Sequence, residues 1–232
     1  MKKLKPYFDE DDITIYCGDC REVLPELESV DLVMLDPPYG IGVYKNGTMG
    51  GGVLAKQSRY DATEWDNKTI NNDDLLKILA YGEFSCCWGG NYYLISPSSC
   101  WLVWDKETGL NFFADCELAW TNYPGAVRLK KHHWQGMIRK DNEPRFHPTQ
   151  KPLDVIKWAI QLSPKYGTII DPMCGSGTTL VAAKELGRKA IGIEIEEKYC
   201  EISAERVRKA IARSKMDLFN PKRKTSMKGF TC

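Results

Sequence analysis

The chain has 232 residues, which is enough for one domain with a sizeable hydrophobic core. Its composition, 43% hydrophobic and 27% charged, is ordinary for a globular protein, and no apolar run reaches the roughly 20 residues of a membrane-spanning helix. Nine cysteines, an odd number, are scattered along a chain too long to need disulfides. The cysteines therefore predict reduced thiols in a cytoplasmic protein. The lack of a long apolar run predicts that the protein has no membrane partner.

The net charge is only +1, but the charged residues are unevenly distributed. Residues 9–31 carry nine acidic side chains and one basic one, whereas residues 128–145 carry six Lys/Arg and two acidic residues. From Arg206 to the end there are nine Lys/Arg and one Asp. This asymmetry can give a nearly neutral protein one face that binds a polyanion; the alternative is a solvated helix face followed by a disordered tail.

In chain order, the first half predicts short strands separated by loops. Residues 32–35 form an unbroken apolar run, which is typical of a buried parallel strand. Residues 40–72 are rich in glycine and predict a long loop, and such loops in compact domains usually carry function. The other predicted elements are strands at 13–16, 84–88, 101–104, 117–120 and 125–129, and helices at 22–28 and 73–81.

The second half alternates helices and strands more clearly. Pro152 stands at the start of one predicted helix and Gly187 after the end of another, both favoured positions. The predicted elements are helix 152–162, strand 168–170, helix 176–186, strand 189–193 and helix 196–211. Strands that alternate with helices indicate an α/β fold with a mostly parallel sheet.

A glycine-rich turn joins the predicted strand 168–170 to its helix. Its sequence is Asp171-Pro172-Met173-Cys174-Gly175-Ser176-Gly177-Thr178-Thr179. Glycines let the backbone turn sharply and let a ligand approach at the carboxyl end of a strand. No Lys follows Gly177, so this is not a Walker phosphate loop, and alone it could be only a tight connection. Glu194 ends the next strand, about 20 residues later, where an acidic residue binds ribose hydroxyls in nucleoside-binding α/β folds.

A second motif, Asp36-Pro37-Pro38-Tyr39, directly follows the buried strand at 32–35. The two prolines stiffen the backbone and remove two N–H donors, which leaves carbonyls and a carboxylate as acceptors. Such a cluster suits a ligand that presents an amino group, and the ring of Tyr39 offers a face on which a base can stack. Without its position at a strand end, the motif could be only a turn.

The two motifs together resemble those of the DNA amino-methyltransferases, in which Asp-Pro-Pro-Tyr is the catalytic motif and Asp-Pro-x-x-Gly-Ser-Gly-Thr-Thr the cofactor loop. The catalytic motif comes first in this chain, an order similar to that of the circularly permuted beta group. Residues 16–20, 101–106 and 146–152 resemble further segments of the same group, so the likeness spans roughly residues 13–205.

This resemblance implies a Rossmann-like methyltransferase sheet of seven mostly parallel strands with helices on both faces, and S-adenosyl-L-methionine as the cofactor. The cofactor's adenosine is expected between Asp19, Asp171 and Glu194, and its methionine end near Thr149, Lys151 and Gly175. The expected cofactor-binding residues are Asp19, Asp36, Thr149, Lys151, Asp171, Pro172, Cys174, Gly175, Ser176, Gly177, Thr178 and Glu194.

The resemblance also implies a DNA substrate, with the target base flipped out of the double strand because a stacked amino nitrogen cannot be reached. Asp36, Pro37, Pro38 and Tyr39 are the expected catalytic residues. Asp at the first position favours N6 of adenine, and N4 of cytosine is the alternative, with an RNA adenine more distant. An alternative outside the enzymes is a catalytically silent subunit that binds DNA or the cofactor.

The expected organisation is one methyltransferase domain over residues 1–211 and a basic C-terminal tail over 212–232. Relatives with this motif order usually carry a sizeable target-recognition region, whose place here is filled only by the basic segment 128–145. Recognition is then minimal, or comes from 40–72 as a mobile loop or small insertion, from the tail, or from a second subunit of a homodimer. The expected phosphate contacts are Arg128, Lys130, Lys131, Arg139, Lys140 and Arg145.

Two cysteine arrangements suggest chemistry that the rest of the sequence does not support. Cys17 and Cys20 have the spacing of two zinc ligands, but no second such pair accompanies them, so we expect no metal. Cys174 lies in the glycine-rich turn without the nucleophile loop of C5-cytosine chemistry, and its expected role is packing.

Overall fold

The computed structural model describes residues 4–40, 69–108, 114–135 and 150–213, together with the backbone of 48–49, 58–59, 138–139 and 214–219. The helices are α1 (Cys20–Val23), α2 (Asn72–Leu79), α3 (Leu153–Gln161), α4 (Thr178–Glu185) and α5 (Glu197–Phe219). The strands are β1 (Phe8–Glu10), β2 (Ile13–Cys17), β3 (Val30–Leu35), β4 (Thr48–Met49), β5 (Ser58–Arg59), β6 (Gly82–Trp88), β7 (Leu102–Asp105), β8 (Cys116–Thr121), β9 (Arg128–Lys131), β10 (Trp134–Gln135), β11 (Ile138–Arg139), β12 (Ile169–Asp171) and β13 (Ala190–Glu194).

Nine of the strands in the described part of the chain form one mixed sheet, in the order β1-β2-β13-β12-β3-β6-β8-β7-β9. The five strands from β2 to β6 in this order are parallel to one another, and β7 and β9 run in the same direction. β8 is antiparallel to both of its neighbours. The carboxyl ends of the parallel strands therefore lie at one edge of the sheet, together with the amino end of β8. We call this the carboxyl edge.

Helices cover both faces of the sheet because its central strands are apolar on both sides. In β3, Leu32 and Met34 belong to the core on the face covered by α3, α4 and α5. Val33 and Leu35 belong to the core on the opposite face, against α1 and α2. This is the arrangement expected for an unbroken apolar strand in a parallel sheet, and the predicted α/β class is confirmed.

The strand count differs from the seven strands that the resemblance implied. β1 was missed because three residues are too short to show a periodic pattern, and it pairs with β2 through a hairpin at Asp11 and Asp12. Both turn residues have positive φ, 56° and 69°, which suits the tight turns that join twisted antiparallel strands. At the other end of the sheet, β9 forms the edge.

The predicted C-terminal tail and the predicted loop over 40–72 are only partly described by the structure. Helix α5 continues to Phe219, past the predicted end at residue 211, and residues 220–232 of the expected tail lie outside the described residues. The expected loop over 40–72 also lies mostly outside them, although β4 and β5 within it pair as an antiparallel two-stranded sheet. No helix in the described ranges is long and apolar enough to cross a membrane.

Candidate active site

The two sequence motifs come together at the carboxyl edge. Residues 36–39 follow β3, the glycine-rich turn follows β12, Glu194 ends β13, and Asp19 lies just beyond β2. These four strands are consecutive neighbours in the sheet, in the order β2-β13-β12-β3. The crevice outside the carboxyl ends of parallel strands is where open α/β sheets bind their ligands.

Glu194 holds the glycine-rich turn against β13. Its Oε2 accepts a hydrogen bond from the N–H of Gly175 at 2.8 Å, and its Oε1 accepts one from the N–H of Glu196 at 2.9 Å. Burial raises the pKa of Glu194, although these backbone N–H groups favour its ionised form. Gly175 has a φ of +51°, and a side chain there would meet no described atom within 4 Å, so the turn borders open space.

Asp171 and Cys174 are buried on the inner side of the turn. Burial raises the pKa of Asp171 to about 7, even though the Thr179 side chain and the Met173 N–H donate to the carboxylate. Burial also raises the pKa of the Cys174 thiol well above its ordinary value, so the thiol stays protonated. Its sulfur lies against Gly192 of β13, which fits the expected packing role.

Arg206 of α5 braces the same turn and was not predicted from the sequence. Its Nη1 donates to the carbonyl of Ser176 at 2.6 Å, to the Ser176 hydroxyl at 3.0 Å and to the Thr178 hydroxyl at 3.1 Å. Gly177, with a φ of +77°, packs so closely on α5 that a Cβ would lie 2.1 Å from Oγ of Ser203. The turn is therefore fixed from behind by α5 and from the side by Glu194.

Asp19 caps the amino end of α1. Its Oδ1 accepts the N–H of Arg21 at 2.9 Å, and the Arg21 guanidinium binds the carboxylate at 2.5 Å. This guanidinium holds the pKa of Asp19 below its usual range.

These groups fit a cofactor that contains a nucleoside. Asp19 and Glu194 present carboxylate oxygens at neighbouring strand ends, where they can accept hydrogen bonds from hydroxyl or amino groups. The open space beside Gly175 allows a ligand to approach the backbone closely. The described residues contain no group of three or more His, Cys, Asp or Glu side chains that could hold a metal ion, and their cysteines are free thiols.

The Asp36 carboxylate is held by two side chains. The Tyr39 hydroxyl donates to Oδ1 at 2.6 Å, and Nζ of Lys151 donates to Oδ2 at 2.5 Å and to the Tyr39 hydroxyl at 3.1 Å. Burial and the Asp36 carboxylate raise the pKa of Tyr39 well above its ordinary value, so it remains a donor. Lys151 was expected at the methionine end of the cofactor, and the structure places its ammonium on Asp36.

Glu117 forms a second partner for Lys151 that the sequence pattern did not reveal. Its Oε2 lies 3.4 Å from Nζ of Lys151, and its Oε1 lies 2.8 Å from Nζ of Lys106. Burial opposes the charge on Lys151, but the Asp36 and Glu117 carboxylates outweigh it and raise the pKa of Lys151. Burial likewise opposes the charge on Glu117, but the two lysines outweigh it and lower its pKa.

Two tyrosines that follow β6 complete the surroundings of the Asp36–Tyr39 motif. Tyr93 donates to the Pro38 carbonyl at 2.5 Å, whereas none of the described residues donates to the Pro37 carbonyl. The Tyr92 ring stacks on Tyr39 with ring centroids 5.0 Å apart and an interplanar angle of 19°. Their position directly after a buried strand is a signal that could have identified them.

The basic residues predicted to contact phosphate are only partly described. Arg128, Lys130 and Lys131 lie on the edge strand β9. Lys130 forms an ion pair with Asp154 at 2.8 Å, while Lys131 is 63% exposed and lies 3.9 Å from Asp105. Lys140, Arg145 and the expected cofactor residue Thr149 lie outside the described residues, as does the side chain of Arg139.

A glycine turn, a strand-end carboxylate and an Asp-Pro-Pro-Tyr motif along one edge of a helix-covered sheet define the class of S-adenosylmethionine-dependent amino-methyltransferases. The chain matches the family model of the DNA methylases over residues 56–205, more than half its length, and it belongs to that family. Its cofactor is S-adenosyl-L-methionine.

Individual relatives agree with this assignment. The chain is 28% identical to the Type II methyltransferase M.ScaI of Streptomyces caespitosus, over 88% of this chain and 84% of that protein. Among solved structures, PvuII DNA methyltransferase, described as cytosine-N4-specific, has a TM-score of 0.57 at 16% identity and covers 88% of this chain and 89% of its own. The M1.HpyAVI–SAM complex has a TM-score of 0.50 at 20% identity, covering 84% and 98%. These two structures have the same fold as this chain.

Proposed function

We propose that this enzyme methylates the N6 amino group of adenine in DNA, with Asp36 and the Pro37 carbonyl as the acceptors for that amino group. The observation that carries the proposal is the geometry at the carboxyl edge. Tyr39 and Lys151 hold the Asp36 carboxylate in place. The neighbouring Pro37 carbonyl accepts no hydrogen bond from a described residue, and the glycine-rich turn lies at the end of the adjacent strand.

The two acceptors orient the amino nitrogen. A hydrogen bond from each N–H to Asp36 and to the Pro37 carbonyl turns the nitrogen lone pair away from the ring and towards the cofactor. The cofactor supplies an electrophilic methyl group on a sulfonium. Asp36, or water beside it, would take the amino proton that is lost when the nitrogen accepts the methyl group. The chain thus contributes mainly position and electrostatic stabilisation.

The aromatic pair Tyr39 and Tyr92 supplies the surface on which we place the flipped base. The rings are 5.0 Å apart, and a base inserted between them needs about 7 Å between ring planes, twice the usual stacking distance. Because Tyr92 is 49% exposed, we propose that its ring turns towards solvent and lets the base stack on Tyr39. Base–aromatic stacking contributes about 1–3 kcal/mol per base.

The choice of adenine is supported by Asp at the first position of the tetrapeptide, which the resemblance associates with N6 chemistry. The same acceptors would also hold N4 of cytosine, so the base must be identified by experiment. Recognition of double-stranded DNA is proposed to use Arg128, Lys130, Lys131, Arg139, Lys140 and Arg145, with residues 1–211 as the methyltransferase domain and 212–232 as a basic tail.

The test is incubation of the protein with DNA and cofactor labelled in the methyl group, followed by nucleoside digestion and mass analysis. N6-methyladenine is the expected product. N4-methylcytosine would move the assignment to the other base, and the absence of any methylated nucleoside with duplex and single-stranded DNA would overturn the proposal.

A further inference from the structure

We infer that Lys151 is a positioning residue for the acceptor carboxylate of Asp36, that it makes no contact with the cofactor's methionine end, and that Glu117 acts through Lys151. This inference rests on the proposed function, because it assigns supporting residues to the same site.

The role of Lys151 is inferred from the number of hydrogen bonds that its ammonium can donate. A lysine ammonium has three N–H donors. Three acceptors surround Nζ: Oδ2 of Asp36 at 2.5 Å, the Tyr39 hydroxyl at 3.1 Å and Oε2 of Glu117 at 3.4 Å. These three acceptors can take all three N–H groups, which would leave none for a cofactor carboxylate.

The burial of Lys151 fixes it in that position. Its side chain is 5% exposed, and Nζ lies 5.4 Å from the ring centroid of Trp88 and 5.6 Å from that of Tyr39. Moving this ammonium away from its carboxylates would leave a charge in an apolar site, which is strongly unfavourable. Lys151 and the Tyr39 hydroxyl together occupy one acceptor site on each oxygen of Asp36. A carboxylate has about four such sites, so others remain for the amino group of the base.

Glu117 and Lys106 extend the cluster behind Lys151. Charges alternate along Asp36, Lys151, Glu117 and Lys106, so each charge of the cluster lies next to an opposite one. Glu117 pairs with Lys151 and Lys106, and Lys151 in turn pairs with Asp36. We therefore expect Glu117 to act on turnover through the position of Lys151.

The experiment measures kcat and KM for methyl transfer, together with the cofactor dissociation constant by calorimetry, in the full chain. We expect Lys151→Met to lower kcat about 100-fold, the effect of a misplacement of about 1 Å, with the dissociation constant within about threefold of wild type. Lys151→Arg keeps the charge and is expected to recover about tenfold of that loss. Glu117→Gln is expected to lower kcat about tenfold, and the double variant Lys151→Met/Glu117→Gln to be no slower than Lys151→Met alone.

Lys157→Met is the matched control. Lys157 is also a lysine in an ion pair, with Glu185 on α4, and it lies outside the site, so its kcat should stay at the wild-type value. If Lys151→Met proves unstable in a thermal melt, Lys151→Arg and the isosteric Glu117→Gln decide the question by the same two measurements.

The outcomes separate the two proposals. Wild-type kcat in Lys151→Met with a cofactor dissociation constant raised about tenfold or more would overturn the inference and restore a cofactor contact. Additive losses in the double variant would overturn the role assigned to Glu117. A wild-type protein that methylates no base would instead refute the proposed function, and the positioning role would fall with it.

Discussion

Replacing Asp36 by Ala tests the proposed chemistry most directly. The substitution removes the carboxylate that accepts from Tyr39 at 2.6 Å and from Lys151 at 2.5 Å, and that is proposed to accept from the target amino group. It leaves in place the hydrogen bond from the Gly175 N–H to Glu194, which holds the glycine-rich turn. Turnover should therefore fall while cofactor binding is retained.

The expected sizes of the loss in kcat and of the loss in stability follow from these contacts. Loss of a preorganised hydrogen-bonding group at a reacting centre costs about 100- to 1,000-fold in kcat, or roughly 2.7–4 kcal/mol. Lys151 keeps its contacts with Glu117 and the Tyr39 hydroxyl, so the stability loss should stay near that of one unsatisfied buried group, about 2 kcal/mol. For a chain of this length that lowers Tm by about 4–8 °C.

The assay is single-turnover methyl transfer with labelled cofactor, alongside calorimetric cofactor binding and a thermal melt. Asp31→Ala is the matched control, because Asp31 lies at the opposite end of the same strand β3 and pairs with Lys165 at 2.9 Å. Its side chain is 24% exposed, against 30% for Asp36. It should lose stability without losing turnover. An Asp36→Ala variant that turns over at near the wild-type rate would refute the assignment.

Three further predictions concern other parts of the site. Because burial raises the pKa of Asp171 to about 7, its ionisation costs folding stability as pH rises from about 4 to 7. The Tm of Asp171→Asn relative to wild type should therefore increase between pH 5 and pH 7, by the equivalent of up to about 2–3 kcal/mol in the free energy of unfolding. A Tm difference that stays the same at all pH values in thermal melts would contradict this. Arg206→Met should weaken cofactor binding about tenfold in calorimetry while leaving kcat within about twofold, because Arg206 braces Ser176 from behind and lies outside the reacting centre. Arg128→Ala should reduce the salt dependence of DNA affinity by about one unit of slope, and Lys130→Ala by less, since Lys130 is already ion-paired. Equal slopes for both variants and wild type would remove β9 from the proposed DNA contacts.

The site residues that the hydrophobic pattern predicted share one property: each ends a strand or directly follows one. Asp36 and Asp171 stand at the ends of apolar runs, and Glu194 ends the next strand. Parallel strands bring their carboxyl ends to one edge, so local pattern alone was enough to place these side chains together. Tyr92 follows the same rule, after β6, and could have been found by it.

Other residues of the site were not predictable, because no local pattern marks them. Glu117 is the second residue of β8, and its position at the site depends on that strand running antiparallel to its neighbours. Arg206 lies in the middle of a long amphipathic helix, where a basic residue usually faces water. It is 8% exposed only because α5 packs across the glycine-rich turn.

The sequence by itself determined the class of fold, the order of the two motifs and the family, because these depend on residue type, spacing and hydrophobic period. Only the tertiary structure decided which groups face Asp36. The ammonium of Lys151 reaches the carboxylate across more than a hundred residues of chain, and Glu117 and Lys106 complete the cluster from β8 and the end of β7. Ion pairs of this kind act over a few ångströms in space, a distance that separation along the chain does not specify.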